Sequence, residues 1–536
     1  MAVTLPRPAG LTLPLPRPLP FPIPAAPATR RHILPSRDAL VEHGARLATV
    51  VTVACVAIFL DASTSYESST ALPYIQGAVG ATADEASWLV TLFNAAYETA
   101  TLLSPWFLTR FGRRRYFVGS LVGYAVFSLA CAASPTYEFF LVARLLQGFA
   151  LGGFFACGVL SLFMSIPDRL RLVGIMLFSM SSQLGSAIGP AVAGYLVYND
   201  AWQWVFVLSA LPALVLAFGI GRILKDPVRP QRVPFDVVGA LLIVVTFLCL
   251  QYVVNEGERR NWTEDPWVTL ALCIAPLGGA AMLYWVLRVS PHPFLDFRVL
   301  RHRNLVVGAV FGFGFGVMLQ AATSIGAFVE KTLDFTPTLG GGTDALRAIA
   351  IVVFVPIVTF AMAEKWLGVR TALLLGLGIA FAGFRFEVTA TTTDSDFTSF
   401  ILPMAGIGIG IAILYRALAT VIFGTLPKED LIMGLLVYKL SGLLGGALAV
   451  PFFTTMLDHR FDAVSTALAG GVNLASAPVR TYLGHGGNAA TLGHIVQAQA
   501  TAIAYSDLWS TASLVVLALL SAILLLDVRS PAPAAD

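Results

Sequence analysis

The sequence predicts an all-α integral membrane protein with fourteen transmembrane helices. Of its 536 residues, 57% are hydrophobic and only 12% are charged, whereas a soluble domain carries about 25% charged residues. Lipid is the solvent that suits so much apolar surface. Apolar runs that can cross a bilayer, at roughly 20 residues each, recur along the chain. Positive charges gather in every second connection between these runs.

The chain begins with a proline-rich segment, residues 1–46, that we expect to be a disordered cytoplasmic arm. Residues 1–35 contain ten prolines, and proline interrupts helices and sheet interiors. No unbroken apolar stretch precedes a small-residue cleavage site, which argues against a signal peptide. The arm is either a passive tail, the favoured interpretation, or a ligand for a proline-recognising partner.

Fourteen apolar runs follow the arm, and the three consecutive glycines at 340–342 blur the start of the tenth. The predicted spans are 47–75, 86–108, 115–134, 138–164, 171–198, 202–224, 236–255, 267–288, 304–330, 345–363, 370–391, 398–426, 431–457 and 505–526.

The distribution of charge predicts that both termini are cytoplasmic. Basic clusters on the side of the termini include Arg110, Arg113–Arg115, Arg298, Arg301, Lys365 and Arg370. The opposite side has few bases, Arg347 among them, and carries acids such as Asp84 and Asp265. This asymmetry follows the positive-inside rule. The net charge of +3 gives no basic excess of the kind that nucleic-acid binding requires.

The sequence gives no indication of a metal site. Residues 458–504 form the one long predicted loop, on the outside, and contain His459, His485 and His494 at irregular spacings. The five cysteines lie in or beside apolar runs and form no CxxC pair, so neither set has the spacing of a zinc site.

Two short basic turns resemble each other and suggest two related bundles. The turn after the second span is Thr109-Arg110-Phe111-Gly112-Arg113-Arg114-Arg115, and the turn after the tenth is Glu364-Lys365-Trp366-Leu367-Gly368-Val369-Arg370. Repeated halves of this kind occur in transporters that move around a binding site at the membrane midplane.

Two further motifs lie inside spans. The fourth span contains Arg144-Leu145-Leu146-Gln147-Gly148. The fifth contains Gly185, Gly189, Pro190 and Gly194, a GxxxGPxxxG pattern. Glycines four residues apart allow close contact between helices, and the proline softens the helix.

With these motifs, the chain resembles the major facilitator superfamily, and within it the fourteen-span drug:proton antiporters of the EmrB/QacA type. Segments such as Trp202–Phe206 and Pro234–Gly239 are most similar to the EmrB-like branch. Arg110, Gly112 and Arg113 match the motif between spans two and three. The family usually has an acid at the position of Thr109 and a glycine at that of Pro105. In the family this acid helps to hold the two bundles together in the outward-facing state, and it is absent here.

The resemblance implies a major facilitator fold of two six-helix bundles plus two extra central helices. The arm, 1–46, is followed by an N-terminal bundle, 47–224, and by a linker with the two extra helices, 225–303. A C-terminal bundle, 304–526, and a cytoplasmic tail, 527–536, complete the chain.

Ionisable residues inside the spans are candidates for proton coupling, because charge within lipid is costly. We rank the acids Glu98, Asp61 and Glu67, and the resemblance adds Arg144 as a residue that influences the proton site. A buried carboxyl group can carry a proton inward and release it when a substrate binds. The alternative is structural: Asp61 bonds polar neighbours such as Ser65, and Arg144 ties helices together.

Aromatic and polar residues of several spans are candidates to line a substrate cavity, although packing is the more frequent role for each alone. Arg416 and Lys439 either recognise an anionic substrate or pair with the acids. Arg385 and Glu387 are expected to form a local ion pair. The cavity candidates are Phe93, Asn94, Tyr97, Gln183, Gln320, Tyr415, Arg416, Tyr438 and Lys439.

We therefore expect a proton-coupled antiporter that exports small amphipathic or hydrophobic compounds by alternating access. No GxxxxGK[ST] motif for ATP and no catalytic cluster is present, which excludes an ATP-driven pump in one chain and argues against an enzyme. The alternatives are a dedicated exporter of one metabolite, lipid-like or anionic compound and, more remotely, a membrane sensor on the same fold.

The resemblance also implies the setting of the protein. The expected location is the bacterial inner membrane, and the energy source is the proton gradient without any cofactor. EmrB-like pumps work with a periplasmic adaptor and an outer-membrane channel, so these are the expected partners, besides the bilayer and the substrate.

Overall fold

The computed structural model describes residues 37–167, 171–224, 233–291, 293–294, 296–427, 430–472, 476–485 and 488–523. Within these ranges all regular structure is helical, which confirms the predicted class. The α-helices are α1 Arg37–Ala78, α2 Ala83–Phe111, α3 Arg113–Ala132, α4 Tyr137–Ser165, α5 Arg171–Tyr198, α6 Gln203–Ile223, α7 Val237–Glu256, α8 Pro266–Tyr284, α9 Arg303–Thr332, α10 Pro337–Ala363, α11 Val369–Ala390, α12 Ile401–Thr425, α13 Leu431–Gly471, α14 Ala477–Gly484 and α15 Ala489–Ile523.

Each predicted span overlaps one long helix, α1 to α13 and α15. In the described part of the chain, twelve helices are long and apolar enough to cross a membrane. The other two, α2 and α5, have 29 and 28 residues, which is also long enough to cross a bilayer. Large apolar side chains such as Val215 and Leu277 are 71% and 69% exposed, as expected of a surface that faces lipid. The count of fourteen spans stays a prediction.

Three predicted boundaries are wrong. The arm does not extend to residue 46, because α1 begins at Arg37; residues 1–36 lie outside the described part. The predicted loop 458–504 is largely helical, since α13 continues to Gly471, α14 follows and α15 begins at Ala489. Alanine, which is frequent there, has the highest helix propensity. The tenth helix begins at Pro337, a residue suited to the first turn.

The early start of α10 places the glycines 340–342 inside a helix, where close packing explains Gly341. A Cβ on Gly341 would lie 2.8 Å from the Cα of Ala191 and 2.9 Å from the carbonyl oxygen of Pro190, both on α5. Only glycine allows the two helices to approach to this distance.

The two halves of the chain pack in the same pattern. In the first half α1 packs on α5, α2 on α4, and α3 on both α4 and α6. In the second half α9 packs on α13, α10 on α12, and α11 on both α12 and α15. The pairs correspond in order, so the packing supports the repeat that the two basic turns suggested. We call α1–α6 the first bundle, and α9–α13 with α15 the second.

The bundles meet along α5 and α10, and the extra helices lie to one side. Helix α7 packs on α2, on α8 and, more lightly, on α13. Helix α8 packs on α7 and is exposed along most of its length. The extra pair is therefore attached to the first bundle through α7.

Candidate functional site

A buried ion pair joins the two bundles. Lys439 on α13 donates from Nζ to Oδ2 of Asp61 on α1, at 2.8 Å, across 378 positions of sequence. The other carboxylate oxygen accepts a hydrogen bond from Tyr97 Oη, also at 2.8 Å. The side chain of Asp61 is only 1% exposed. Of the two roles left open for Lys439, the structure shows pairing with an acid.

Aromatic rings surround the ammonium group of this pair. The Nζ atom of Lys439 lies 4.6 Å from the ring centre of Phe155 and 5.7 Å from that of Tyr97, positions that stabilise a cation. Ser65, the expected partner of Asp61, donates at 2.8 Å to its backbone oxygen and not to its carboxylate. The Asp61 carboxylate is therefore bound by residues of α2 and α13.

The glycine motif of α5 positions α1 and its acid. A Cβ on Gly185 would overlap the carbonyl oxygen of Phe59, and one on Gly189 would lie 2.7 Å from that of Ser63. The missing side chains let α5 contact the backbone of α1 on both sides of Asp61. Further along the motif, Gly194 faces the carbonyl oxygen of Pro337 on α10. The motif thus places one helix of the second bundle and the acid-bearing helix against the same surface of α5.

Glu67 lies further along α1, in the surroundings of Arg144. Ser63 Oγ donates to one oxygen of its carboxyl group at 3.3 Å, and the other oxygen has no hydrogen-bond partner among the described residues. Glu67 interacts electrostatically with Arg144. Arg144 donates to Gln147 Oε1 at 2.6 Å, and its guanidinium lies 4.0 Å from the ring centre of Phe93.

Glu98, our first choice for the proton carrier, faces away from Asp61 although Tyr97 precedes it. One oxygen of Glu98 accepts a hydrogen bond from Gln251 Nε2 of α7 at 2.9 Å, and the other has no partner in the described part. About two turns toward the start of α2, Asn255 of α7 donates to Thr91 at 3.0 Å. Glu98 therefore belongs to a polar interface between α2 and the extra helix. Of the three ranked acids, Asp61 is the one that bonds to the second bundle through Lys439.

A cavity of about 750 Å³ lies at one end of the molecule. At this end α1, α5, α9 and α13 finish and α10 and α15 begin; the charge pattern predicts it to be external, and we call it the outer end. Among the predicted substrate residues, Gln320 lines this outer cavity. Tyr66, Glu330, Asp344, Asp458 and Tyr505 line it too.

Several other predicted cavity residues form an aromatic cluster between the bundles. The ring of Tyr415 lies 5.9 Å from that of Phe178 on α5, 5.6 Å from Phe315 and 6.3 Å from Tyr438. Gln183 is buried and its Oε1 has no hydrogen-bond partner within the described ranges. On α2, Phe93 stacks on Tyr97 at 6.4 Å, and Asn94 is half-buried.

Arg416 has a different environment. Its Nε donates to Thr359 Oγ1 of α10 at 2.9 Å, and it also contacts Thr420 of its own helix. These bonds hold α12 against α10. Recognition of an anionic substrate by Arg416 stays a prediction, and Arg416 does not line the outer cavity.

The basic motif lies at the opposite end. Gly112 ends α2 and begins α3 with a φ of 82°, a conformation suited to glycine. Arg113 donates to Met164 Sδ at 3.8 Å, and Arg110 lies in the last turn of α2. Gly148 of the fourth-span motif contacts Phe93 of α2, which leaves no room for a Cβ.

One expectation about charged residues is wrong. Arg385 does not pair with Glu387; it donates to Ser510 of α15 at 3.1 Å, while both oxygens of the fully buried Glu387 lack a hydrogen-bond partner among the residues described. Arg347, which we counted among the few bases of the outer side, is 1% exposed inside α10 and donates to Asp344 at 2.7 Å. Starting the tenth span at 345 hid this pair, although two opposite charges three residues apart beside an apolar run were a usable indication.

Two similarly packed bundles of membrane helices, with an ion pair between them and a cavity at one end, are the architecture expected of a membrane transporter. The chain belongs to the Major Facilitator Superfamily, whose model matches residues 53–450, and it is therefore a transporter and not an enzyme.

Curated relatives cover most of this chain. It is 25% identical over 399 residues to the colistin resistance protein EmrB of Acinetobacter baumannii, covering 73% of this chain and 76% of that protein. It is 23% identical over 432 residues to the multidrug export protein EmrB of Escherichia coli, covering 80% and 84%. The fatty acid resistance protein FarB of Neisseria gonorrhoeae is 25% identical over 59% of this chain and 62% of its own length.

Solved structures agree with the fold. A structure described under substrate recognition in proton dependent oligopeptide transporters aligns with a TM-score of 0.59 at 13% identity, over 89% of this chain and 99% of that one. The proton:xylose symporter XylE aligns with a TM-score of 0.55 at 13% identity, over 89% and 96%. At this identity the likeness concerns the fold alone.

Proposed function

We propose that the protein is a proton-coupled exporter of small amphipathic or hydrophobic compounds that works by alternating access in the bacterial inner membrane, with both termini cytoplasmic. The Asp61–Lys439 ion pair carries this proposal, because it joins the two bundles through a group that can gain or lose a proton. The relatives named for multidrug export and for colistin resistance support the direction and the kind of cargo.

Because of this ion pair, protonation of Asp61 changes the attraction between the two bundles. While Asp61 is ionised, it accepts hydrogen bonds from Lys439 and Tyr97 and holds α1 to α13. Protonation removes the negative charge, and the attraction between the bundles weakens with it. The bundles can then change their arrangement and carry the proton inward. Release of the proton on the other side restores the pair.

Other polar and charged groups lie around the acid. Tyr66 lines the outer cavity and interacts electrostatically with Asp61. Glu67 on α1 interacts electrostatically with Arg144 of α4. We infer that Asp61 is the principal proton carrier, and that Glu67 with Arg144 adjusts the charge near it.

Transport by purified protein in liposomes tests the proposal. A pH gradient should drive ethidium or a neutral dye against its concentration gradient, with proton movement in the opposite direction reported by an internal pH indicator. The Asp61→Asn variant should lose gradient-driven transport and still bind the dye. Gradient-driven transport by this variant at the native rate would contradict the role of Asp61; no proton movement by the native protein would contradict antiport.

The range of substrates separates a broad exporter from one dedicated to a single compound. A strain that lacks the protein should become sensitive to several unrelated amphipathic compounds. Sensitivity to one compound alone would favour the dedicated exporter.

The similarity to EmrB proteins also suggests partner proteins. We infer an association with a periplasmic adaptor and, through it, an outer-membrane channel. Affinity purification from native membranes after cross-linking should recover both proteins, and recovery of the exporter alone would contradict this part.

A further inference from the structure

Helix α7 lies in a loosely packed seam between the two bundles. Helix α2 of the first bundle and α13 of the second touch each other only lightly, whereas α7 packs on both. Toward the inner end, Ile243 of α7 and Leu440 of α13 line the same small pocket. At the outer end, the turn that follows α7 bonds to α13. The extra helix therefore contacts the two parts of the molecule that move relative to each other in the proposed transport cycle.

A network of charges attaches the outer end of α7 to the first bundle. Glu256, the last residue of α7, has a side chain that is only 1% exposed. It accepts hydrogen bonds from Arg259 and Arg260 at 2.7 Å each, and one from Ser87 of α2. Arg259 also pairs with Asp84 in the first turn of α2 at 2.6 Å. A buried acid with several donors is a stronger link than an isolated surface pair.

Uncharged contacts continue this attachment along the outer half of α7. The ring of Tyr252 lies 5.3 Å from that of Trp88, and Asn255 donates to Thr91 at 3.0 Å. Both partners belong to α2. We therefore expect the outer half of α7 to move together with the first bundle.

The attachment to the second bundle is weaker. Glu258 lies in the turn after α7, residues 257–265, which we call the outer turn. It accepts a hydrogen bond from Thr455 Oγ1 of α13 and another, at 2.7 Å, from Trp262 of the same turn. Among the residues that the structure describes, no ion pair joins the outer turn to α13. A single bond to a neutral hydroxyl group is thus opposed to a charged network on the other side.

Like charge weakens this second attachment further. Asp458, one turn beyond Thr455 on α13, interacts electrostatically with Glu258. Two carboxylates that lie near each other repel when both are ionised. The bond between Glu258 and Thr455 is therefore the contact of the outer turn that opens most easily when α13 moves away from α7.

Movement of α13 is part of the proposed cycle. This helix carries Lys439, whose attraction to Asp61 is lost on protonation of the acid. Its outer half lines the outer cavity. When that cavity opens or closes, this wall moves relative to the first bundle, and we expect α7 to stay with the first bundle.

We propose that the outer turn is a strap between the bundles, fixed to the first by Glu256 and Arg259 and released from the second in each transport cycle by opening of the Glu258–Thr455 bond. This inference rests on the proposed function, and it gives the extra helices a part in the transport cycle.

Reversible cross-links at two similar contacts test the proposal. Glu258 with Thr455 crosses to the second bundle, whereas Glu256 with Ser87 lies within the attachment to the first, and both are contacts of a carboxylate with a hydroxyl group. One variant combines Glu258→Cys with Thr455→Cys, and the control combines Glu256→Cys with Ser87→Cys. Both also carry Cys273→Ala, which removes the exposed native cysteine.

Gradient-driven ethidium transport in liposomes is measured before cross-linking with a short, reducible thiol reagent, after it, and again after reduction. The link between positions 258 and 455 should lower transport at least tenfold, and reduction should restore it. The link between positions 256 and 87 should leave the rate within about twofold. Each variant is compared with itself, so an effect of the substitutions on folding does not imitate this result. An unchanged rate with the first link, or equal losses with both, would overturn the proposal.

A second measurement requires no transport. In lipid nanodiscs without a gradient, the yield of each cross-link is compared between protein that has Asp61 and protein that carries Asp61→Asn, which lacks the charge between the bundles. The yield between positions 258 and 455 should fall at least twofold, and that between 256 and 87 should stay the same. Unchanged yields at both would overturn the proposal. Native protein that moved no protons against ethidium would instead refute the proposed function, and the yields would still show whether the outer turn separates from α13.

Discussion

The two bundles have the same packing and different chemistry. Their principal helix pairs correspond in order, but the first bundle supplies the acids Asp61 and Glu67 beside the junction and the second supplies Lys439. The second bundle has its own buried acid, Glu387, which hydrogen-bonds to no described residue. A repeated scaffold can therefore place opposite charges on its two halves, so that a proton taken up by one half changes the attraction between both.

Asp61 and Glu387 are both buried acids, but they lie in different parts of the fold. Both carboxyl groups are almost completely buried. Asp61 is bonded across the junction between the bundles, whereas Glu387 lies in α11, which packs on α12 and α15 of its own bundle. Of these two acids, Asp61 alone is bonded across the junction, so we expect its protonation, and not that of Glu387, to alter the relation of the bundles. The cost of placing an acid in apolar surroundings applies to both and does not by itself identify a proton carrier.

The largest expected effect comes from exchanging these two acids for their amides. Asp61→Asn should reduce gradient-driven export at least 100-fold, because the charge that responds to the proton is gone. Glu387→Gln is the matched control and should stay within about twofold of the native rate. Export rates in liposomes measure both. A large loss in Glu387→Gln at normal expression would show that the second bundle also carries protons.

The next effect concerns the helix contact that supports the acid. Gly185→Leu places a side chain against the backbone of α1, and overpacking of this kind costs typically 1–3 kcal/mol. We expect a lower unfolding temperature in detergent and at least a tenfold loss of export.

Gly219→Leu is the control for the glycine substitution, since a Cβ at that position of α6 meets no atom within 4 Å. It should leave the unfolding temperature unchanged. If Gly185→Leu were as stable and active as Gly219→Leu, the close approach of α5 to α1 would have no role in transport.

A smaller effect is expected at the interface with the extra helices. Glu98→Gln keeps a hydrogen-bonding group opposite Gln251, so export should stay within about fivefold of the native rate. Gln251→Leu leaves the buried Glu98 without its bond, and an unmet buried acceptor costs about 1–3 kcal/mol. Thermal unfolding should therefore show the larger change in Gln251→Leu. A loss of proton coupling in Glu98→Gln as severe as in Asp61→Asn would restore Glu98 as a carrier.

The smallest effect is expected at the outer end of α7. Arg260 donates to Asp265 at 3.0 Å and lowers the pKa of that carboxyl group. A lowered pKa stabilises the fold above the unfolded value, about 3.9 for Asp, and this contribution is lost as the pH falls further. Arg260→Gln should therefore lower the unfolding temperature slightly at pH 7, and the difference should shrink below about pH 4.

Arg480→Gln is the control at this end, since Arg480 is exposed and forms no ion pair with a described residue. It should have no measurable effect at either pH. A difference for Arg260→Gln that grew on acidification would contradict the assigned sign.

Some features of this protein could be predicted from its sequence, and others could not. Composition and charge placement predict a helical membrane protein, because lipid requires apolar helices and the asymmetry of bases orients them. Gly185, Gly189 and Arg144 could be recognised because each of the two motifs lies within a single helix and a few residues of sequence. The extension of α13 and α15 was missed, since apolar runs indicate the membrane and not the length of a helix.

What the sequence determined by itself is the membrane class, the family likeness and a short set of buried acids. Only the tertiary structure decided which residues each of these acids contacts. Neighbouring residues such as Tyr97 and Glu98 point about 100° apart on a helix, so one contacts Asp61 and the other Gln251. The pairing of Asp61 with Lys439 joins residues 378 positions apart. Such a contact arises from the packing of two bundles, and no local pattern in the chain encodes it.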